Sequence, residues 1–214
     1  MRKYLFVIAV GAVLMAGCKS KNDPTPASSN SYFPVTSGST WTYNDVAGGN
    51  TNTLTITMTG ATSVINGKTY YVASSNSSVR GTSTGDYYAA NHDYAIRATN
   101  AAAGVTVELQ LGDDSKAVGY SWTTSPTDNG TVSGFPARTV NTVKEVNVTK
   151  TVNGKSFTNV IHTQVALQYD LGSGFQNTAV YDIYLAKGVG MIELDTSING
   201  SASETETITS YTVK

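Results

Sequence analysis

The chain has 214 residues and a formal net charge of −1, and only 14% of its residues are charged, against the ~25% usual for soluble domains. It offers neither a basic patch for nucleic acid nor a dense acidic run for a polycation. Its single cysteine allows neither an internal disulfide nor a thiolate metal cluster.

Arg2 and Lys3 form a short basic segment, and Tyr4 to Ala16 follow without a charge. As a helix that stretch covers roughly 20 Å, short of the ~30 Å hydrocarbon core of a bilayer. Residues 1–17 therefore read as a secretion signal and not as a membrane span. The small pair Ala16-Gly17 suits the narrow cleft of a signal peptidase, and Cys18 follows it directly. Leu14-Met15-Ala16-Gly17-Cys18 resembles the lipobox of bacterial lipoproteins, with Met15 in the usual leucine place. That resemblance implies a diacylglycerol on the Cys18 thiol and an acylated amine, palmitate-type chains whose burial at ~0.8 kcal/mol per CH₂ makes an effectively permanent anchor. Among such proteins an Asp after the cysteine favours retention at the inner membrane. Lys19 stands there instead, so the resemblance implies the outer membrane, with its periplasmic and cell-surface faces both open. Cleavage removes Arg2 and Lys3 and no acid, leaving a net charge of −3. Residues 18–30 lack apolar periodicity and contain Pro24 and Pro26; they read as a lipid-anchored tether reaching at most ~40 Å.

Residues 31–214 show strand periodicity and no helical one. Leu54, Ile56 and Met58 alternate with threonines. Val105, Val107, Leu109 and Leu111 alternate with Thr106, Glu108 and Gln110, and Ile161, Val165, Leu167 and Tyr169 oppose His162, Gln164 and Gln168. One buried and one wet face per strand predicts an all-β, mainly antiparallel module. Asn66-Gly67 and Asn153-Gly154 predict hairpin turns, because both positions tolerate φ > 0.

Three motifs recur in the same order. Gly38-Ser39-Thr40-Trp41-Thr42 is echoed by Gly119-Tyr120-Ser121-Trp122-Thr123, and Asn66-Gly67-Lys68 by Asn153-Gly154-Lys155. Asp86-Tyr87-Tyr88-Ala89-Ala90, then Ile96, is echoed by Asp182-Ile183-Tyr184-Leu185-Ala186, then Ile192. The reading is an internal duplication, repeats 31–117 and 118–214, whose sheets either stack as a sandwich or join edge to edge as a curved half-barrel. Trp41 and Trp122 are expected to be equivalents, each anchoring the core of its own half.

Phe33-Pro34-Val35-Thr36-Ser37-Gly38-Ser39-Thr40-Trp41-Thr42-Tyr43 resembles the opening of a family of uncharacterised bacterial lipoproteins, written Phe-Pro-x-x-x-Gly-x-x-Trp-x-Tyr. Tyr184 to Gly190 is similar to their C-terminal Tyr-x-Ala-x-Gly-Val-Gly element. The resemblance implies an envelope location and a β fold and carries no activity.

Candidate chemistry is sparse. His92 sits in a turn-like Asn-His-Asp, and His162 on the polar face of its strand; both are expected to be solvated. No Gly-x-Ser-x-Gly elbow and no His-x-x-x-His pair is present. Asp113-Asp114 reads as a turn with two solvated acids. Gly188-Val189-Gly190, followed by a strand and not a helix, reads as a tight turn rather than a phosphate loop. The pairs Tyr70-Tyr71 and Tyr87-Tyr88 should each expose one ring, either for cross-strand packing or to stack on a sugar. These residues give no catalytic, cofactor or metal site, and Cys18 is the one assigned position, for lipid. The expected function is a non-enzymatic binding or structural lipoprotein, with a glycan or protein partner open. The alternatives are a glycan- or hydrophobe-binding protein and an envelope hydrolase.

Overall fold

The computed structural model describes residues 30–100 and 104–214. The signal segment 1–17, Cys18 and the tether through residue 29 lie outside the described residues. The described residues form thirteen strands: β1 (Thr40–Ala47), β2 (Asn50–Ile65), β3 (Lys68–Ser77), β4 (Gly81–Ala90), β5 (Asp93–Asn100), β6 (Val105–Asp113), β7 (Ser121–Thr124), β8 (Thr131–Val132), β9 (Phe135–Val152), β10 (Lys155–Asp170), β11 (Phe175–Ala186), β12 (Gly190–Ile198) and β13 (Ser201–Thr212). Both Asn-Gly turns form as the sequence predicts. Asn66 and Gly67 have φ of 51° and 77°, and Asn153 and Gly154 have 47° and 77°, so β2–β3 and β9–β10 turn back in the twist that suits a hairpin.

All pairings are antiparallel, and the order along the sheet is β6-β5-β4-β3-β2-β1-β13-β12-β11-β10-β9-β7, with β8 on β9 as an appendage. Each half is a six-stranded meander. The echoed motifs fall on corresponding strands, Trp41 on β1 and Trp122 on β7, Tyr87 on β4 and Ile183 on β11, Ile96 on β5 and Ile192 on β12. The halves do not stack as two sheets. β1 pairs with β13, Asp45 opposite Glu206, and joins them edge to edge into one curved sheet. The sheet rolls far enough that β6 lies against β9, β10 and β11, and the Glu108 amide donates to the Pro126 carbonyl at 2.8 Å. The result is a nearly closed barrel.

The inner face carries the core, with Tyr43, Ile56, Met58, Ala73, Tyr87, Leu111, Val165, Ile183, Leu185, Ile192 and Ile208 all buried in it. Tyr32, Phe33 and Val35, which precede the first strand, are buried there too. Phe33 stacks on Tyr87 with ring centroids 5.2 Å apart, and Tyr32 meets Tyr94 edge-on at 6.3 Å. The Gly188 amide donates to the Ser31 carbonyl at 2.8 Å. The segment thus plugs the mouth that holds the β4–β5, β9–β10 and β11–β12 turns. The opposite mouth holds the β1–β2, β3–β4 and β12–β13 turns.

Candidate functional site

The plugged mouth explains two of the sequence motifs as one structure. The Trp41 indole N–H donates to the Val189 carbonyl at 2.6 Å, and the Tyr43 hydroxyl to the Met191 carbonyl at 2.9 Å. A side chain at Gly190 (φ 110°) would start 3.2 Å from Trp41 Nε1, with Pro34 beside it. The glycines let the β11–β12 turn approach the indole. The Phe-Pro…Trp-x-Tyr and Gly-Val-Gly elements, far apart in sequence, are two sides of one packed lock, whose residues Phe33, Pro34, Trp41, Tyr43 and Met191 also line a small apolar cavity.

The other mouth differs in chemistry. Three strands bring polar side chains to the inner face where hydrophobic ones would be in phase. On β1 the alternation Trp41, Tyr43 ends in Asp45; on β13 Ile208 is followed inward by Glu206 and Glu204; Asn52 on β2 stands directly opposite Asp45. One carboxylate oxygen each from Asp45, Glu204 and Glu206 lie within 4.8 Å of one another. Arg80, in the β3–β4 turn, reaches in with Nη2 2.5 Å from Asp45 Oδ2 and 2.8 Å from Glu204 Oε1. Burial lowers the affinity of Arg80 for its proton, but the bonds to Glu204 and Asp45 outweigh that and hold its pKa above the ordinary value. Burial raises the Glu204 carboxyl, with Arg80 pulling the other way. For Glu206, burial, then the charges of Glu204 and Asp45, outweigh the pull of Arg80 and push its carboxyl up to about 8. Asp45 is only 1% exposed at its side chain, and its Oδ1 has no hydrogen-bond partner.

The sequence-predicted positions fare differently. His162 is not solvated: its side chain is 12% exposed and stacked on Tyr184 at 4.2 Å. Its Nε2 lies 2.8 Å from Asp182 Oδ1 and its Nδ1 3.3 Å from Glu145 Oε2, so both ring nitrogens face carboxylates and neither faces a hydroxyl. Lys150 covers the other features of that outer patch, 3.5 Å from the Tyr184 ring and 2.8 Å from Glu193. His92 is exposed, as expected for a turn, and its Nδ1 lies 2.5 Å from Asp114 Oδ1. The two acids of Asp113-Asp114 are not solvated, however. Asp113 takes the Ser115 amide and hydroxyl, and Asp114 takes His92 and the Tyr94 hydroxyl.

The tyrosine expectation also needs correction. Tyr70, Tyr71, Tyr87, Tyr88 and Tyr94 are all buried. Tyr71 and Tyr87 enter the main core, whereas Tyr70 and Tyr88 form a small outer cluster with Ala95. Lys68 lies over the Tyr88 ring, Glu108 accepts from the Tyr70 hydroxyl at 2.6 Å, and Asp128 is clamped beside them by Arg97 and Asn66. Alternation in sequence separates the two faces of a strand, but it does not reveal that charged neighbours cover the outer one.

Trp41 and Trp122 occupy corresponding strands but not equivalent environments. Trp41 is 6% exposed in the core. Trp122 is partly buried on β7, the terminal strand of the sheet, with the exposed Tyr120 ring 5.9 Å away. β1 is flanked by β2 and β13, while β7 has β9 alone.

Asp45, Asn52, Arg80, Glu204 and Glu206 were not singled out by sequence. The available signal was a charged residue in phase with a buried alternating set, Trp41-x-Tyr43-x-Asp45 on one strand and Glu204-x-Glu206-x-Ile208 on the other.

Fold and site together define a rolled all-β module with one apolar, locked mouth and one acidic mouth. No family model and no curated protein matches the chain. Two crystal structures are similar, each at 10% identity and a TM-score of 0.48, covering 86% of this chain and 99% of the other. One is a protein classed as exported, with a YmcC-like fold, from Bacteroides fragilis, and the second is a protein classed as a lipoprotein from Parabacteroides distasonis.

Proposed function

We propose that the chain is an envelope lipoprotein, held in the outer membrane by lipid on Cys18, whose barrel is a binding or structural module and not an enzyme. The observation that carries this reading is the docking of residues 31–35 into one mouth of the barrel. It puts the start of the described residues at that mouth, opposite the acidic one. The engagement of both His162 nitrogens by carboxylates supports the non-enzymatic part, since a general base needs a nitrogen facing the proton that it takes. Labelled fatty acid should enter the wild-type chain and be absent from Cys18→Ala, which should also leave the outer-membrane fraction. Equal labelling of the two would end the anchor reading. Turnover of an ester, peptide or glycoside that is lost in His162→Ala would end the non-enzymatic one.

A glycan-binding role has one specific observation in its favour, the Tyr120–Trp122 pair. Tyr120 is 47% exposed beside the half-open indole of Trp122, with Lys116 Nζ 5.0 Å from the Tyr120 ring. Aromatic faces at a sheet edge suit stacking on a sugar ring. The buried tyrosines of the first half do not.

A further inference from the structure

The acidic mouth has a charge that its own residues do not balance. Three carboxylates, Asp45, Glu204 and Glu206, face one guanidinium, Arg80, and the first of them is fully enclosed. Arg80 pairs with Asp45 Oδ2 and Glu204 Oε1, and among the described residues Glu206 has no ion-pair partner. An independent feature points the same way. Among the described residues four buried side-chain oxygens have no hydrogen-bond partner, and two of them, Asp45 Oδ1 and Asn52 Oδ1, belong to directly opposed residues here. Asn52 is 7% exposed and neutral, so charge repulsion does not explain its unused oxygen. Buried acceptors without donors cost free energy unless something electropositive fills the space between them.

We propose that Asp45, Asn52, Glu204 and Glu206 form a binding site for one divalent, oxygen-preferring cation of the calcium class at the mouth opposite residues 31–35. Carboxylate and amide oxygens are the donors such hard ions take. The three carboxylate oxygens lie within 4.8 Å of one another, close enough to share one ion. Calcium takes several carboxylate and amide oxygens in a flexible geometry, whereas magnesium demands a near-ideal octahedron and keeps several waters, so a four-residue protein cage suits the calcium class. Glu204 is partly exposed, giving the ion a path from solvent. β1, β2 and β13 hold the donors from three adjacent strands, so binding ties together the seam that joins the halves. This deepens the binding reading by naming a ligand class, and rests on that reading only for the direction in which the mouth faces.

The test uses the full chain purified in detergent, titrated with calcium chloride and with magnesium chloride by calorimetry and thermal unfolding. Calcium should bind one to one and raise Tm by about 3–10 °C at about 10 mM, with affinity in the range of extracellular calcium modules. Magnesium should give a much smaller shift. Glu206→Gln, with its fold checked by circular dichroism, should lose the calcium response at least tenfold, and Asp45→Asn should do the same. No heat and no shift in the wild type overturns the site, as does an undiminished response in both variants. An equal response to magnesium overturns the assignment to a calcium-class ion. Each readout is independent of lipid on Cys18, so failure here and failure of the anchor are told apart.

Discussion

Trp41 and Trp122 show how far a local motif determines the environment of a side chain. Both follow a glycine turn and open a strand, and both sit at corresponding places in a six-strand meander. Only Trp41 has a strand on either side, the N-terminal plug beneath it and a carbonyl for its N–H. Trp41→Ala should therefore cost about 3–5 kcal/mol, the range for removing a buried aromatic. Trp122→Ala should cost about 1 kcal/mol or less, as for a side chain near the surface. Urea unfolding of the two variants checks this, and equal losses would restore the equivalence expected from sequence. Alternation correctly placed Ile56, Leu111 and Val165 inside, because a strand's two faces are fixed by its backbone. It did not reveal that Tyr70 and Tyr88 are covered, Tyr70 by Glu108 on β6 and Tyr88 by Lys68 on β3. The acidic mouth was hidden for a related reason: Asp45 and Glu206 are 161 positions apart and meet only once β1 and β13 pair.

Among the elements, the segment before β1 does more than lead into the fold. Phe33 lies flat on Tyr87, and Ser31 and Pro34 touch the β11–β12 turn. It therefore links the two meanders a second time, beside the β1–β13 pairing. Phe33→Ala should destabilise the protein by about 3–5 kcal/mol. Hydrogen exchange should quicken in β4 and at the start of β12 together, one strand from each half. Exchange changed in β4 alone would count against a bridge. The hairpins at Asn66-Gly67 and Asn153-Gly154 were legible because two residues determine them. The docking of residues 31–35 was not, since hydrophobic residues outside a strand carry no periodicity to read.

For the whole molecule, the barrel has a strong seam and a weak one. β1 and β13 pair along most of their lengths in the middle of the sheet. Between β6 and the segment after β7, closure rests on the Glu108–Pro126 bond and on side chains such as Arg97 with Asp128. Native-state hydrogen exchange should find β7 and the outer edge of β6 opening at low free energy, and β1, β2 and β13 opening only with global unfolding. Uniform protection around the sheet would contradict this.

The strong seam also sets an order of events as the chain folds. β1 emerges early, yet its partner β13 lies at residues 201–212, so the first meander meets an open edge on its inner side until nearly all of the chain has followed. Contacts this distant in sequence form late and slowly. The same pairing that closes the finished barrel therefore leaves the unfinished one open. It also means that a chain cut short before β13 is left not as a smaller protein but as an exposed β1 edge, a template for aggregation.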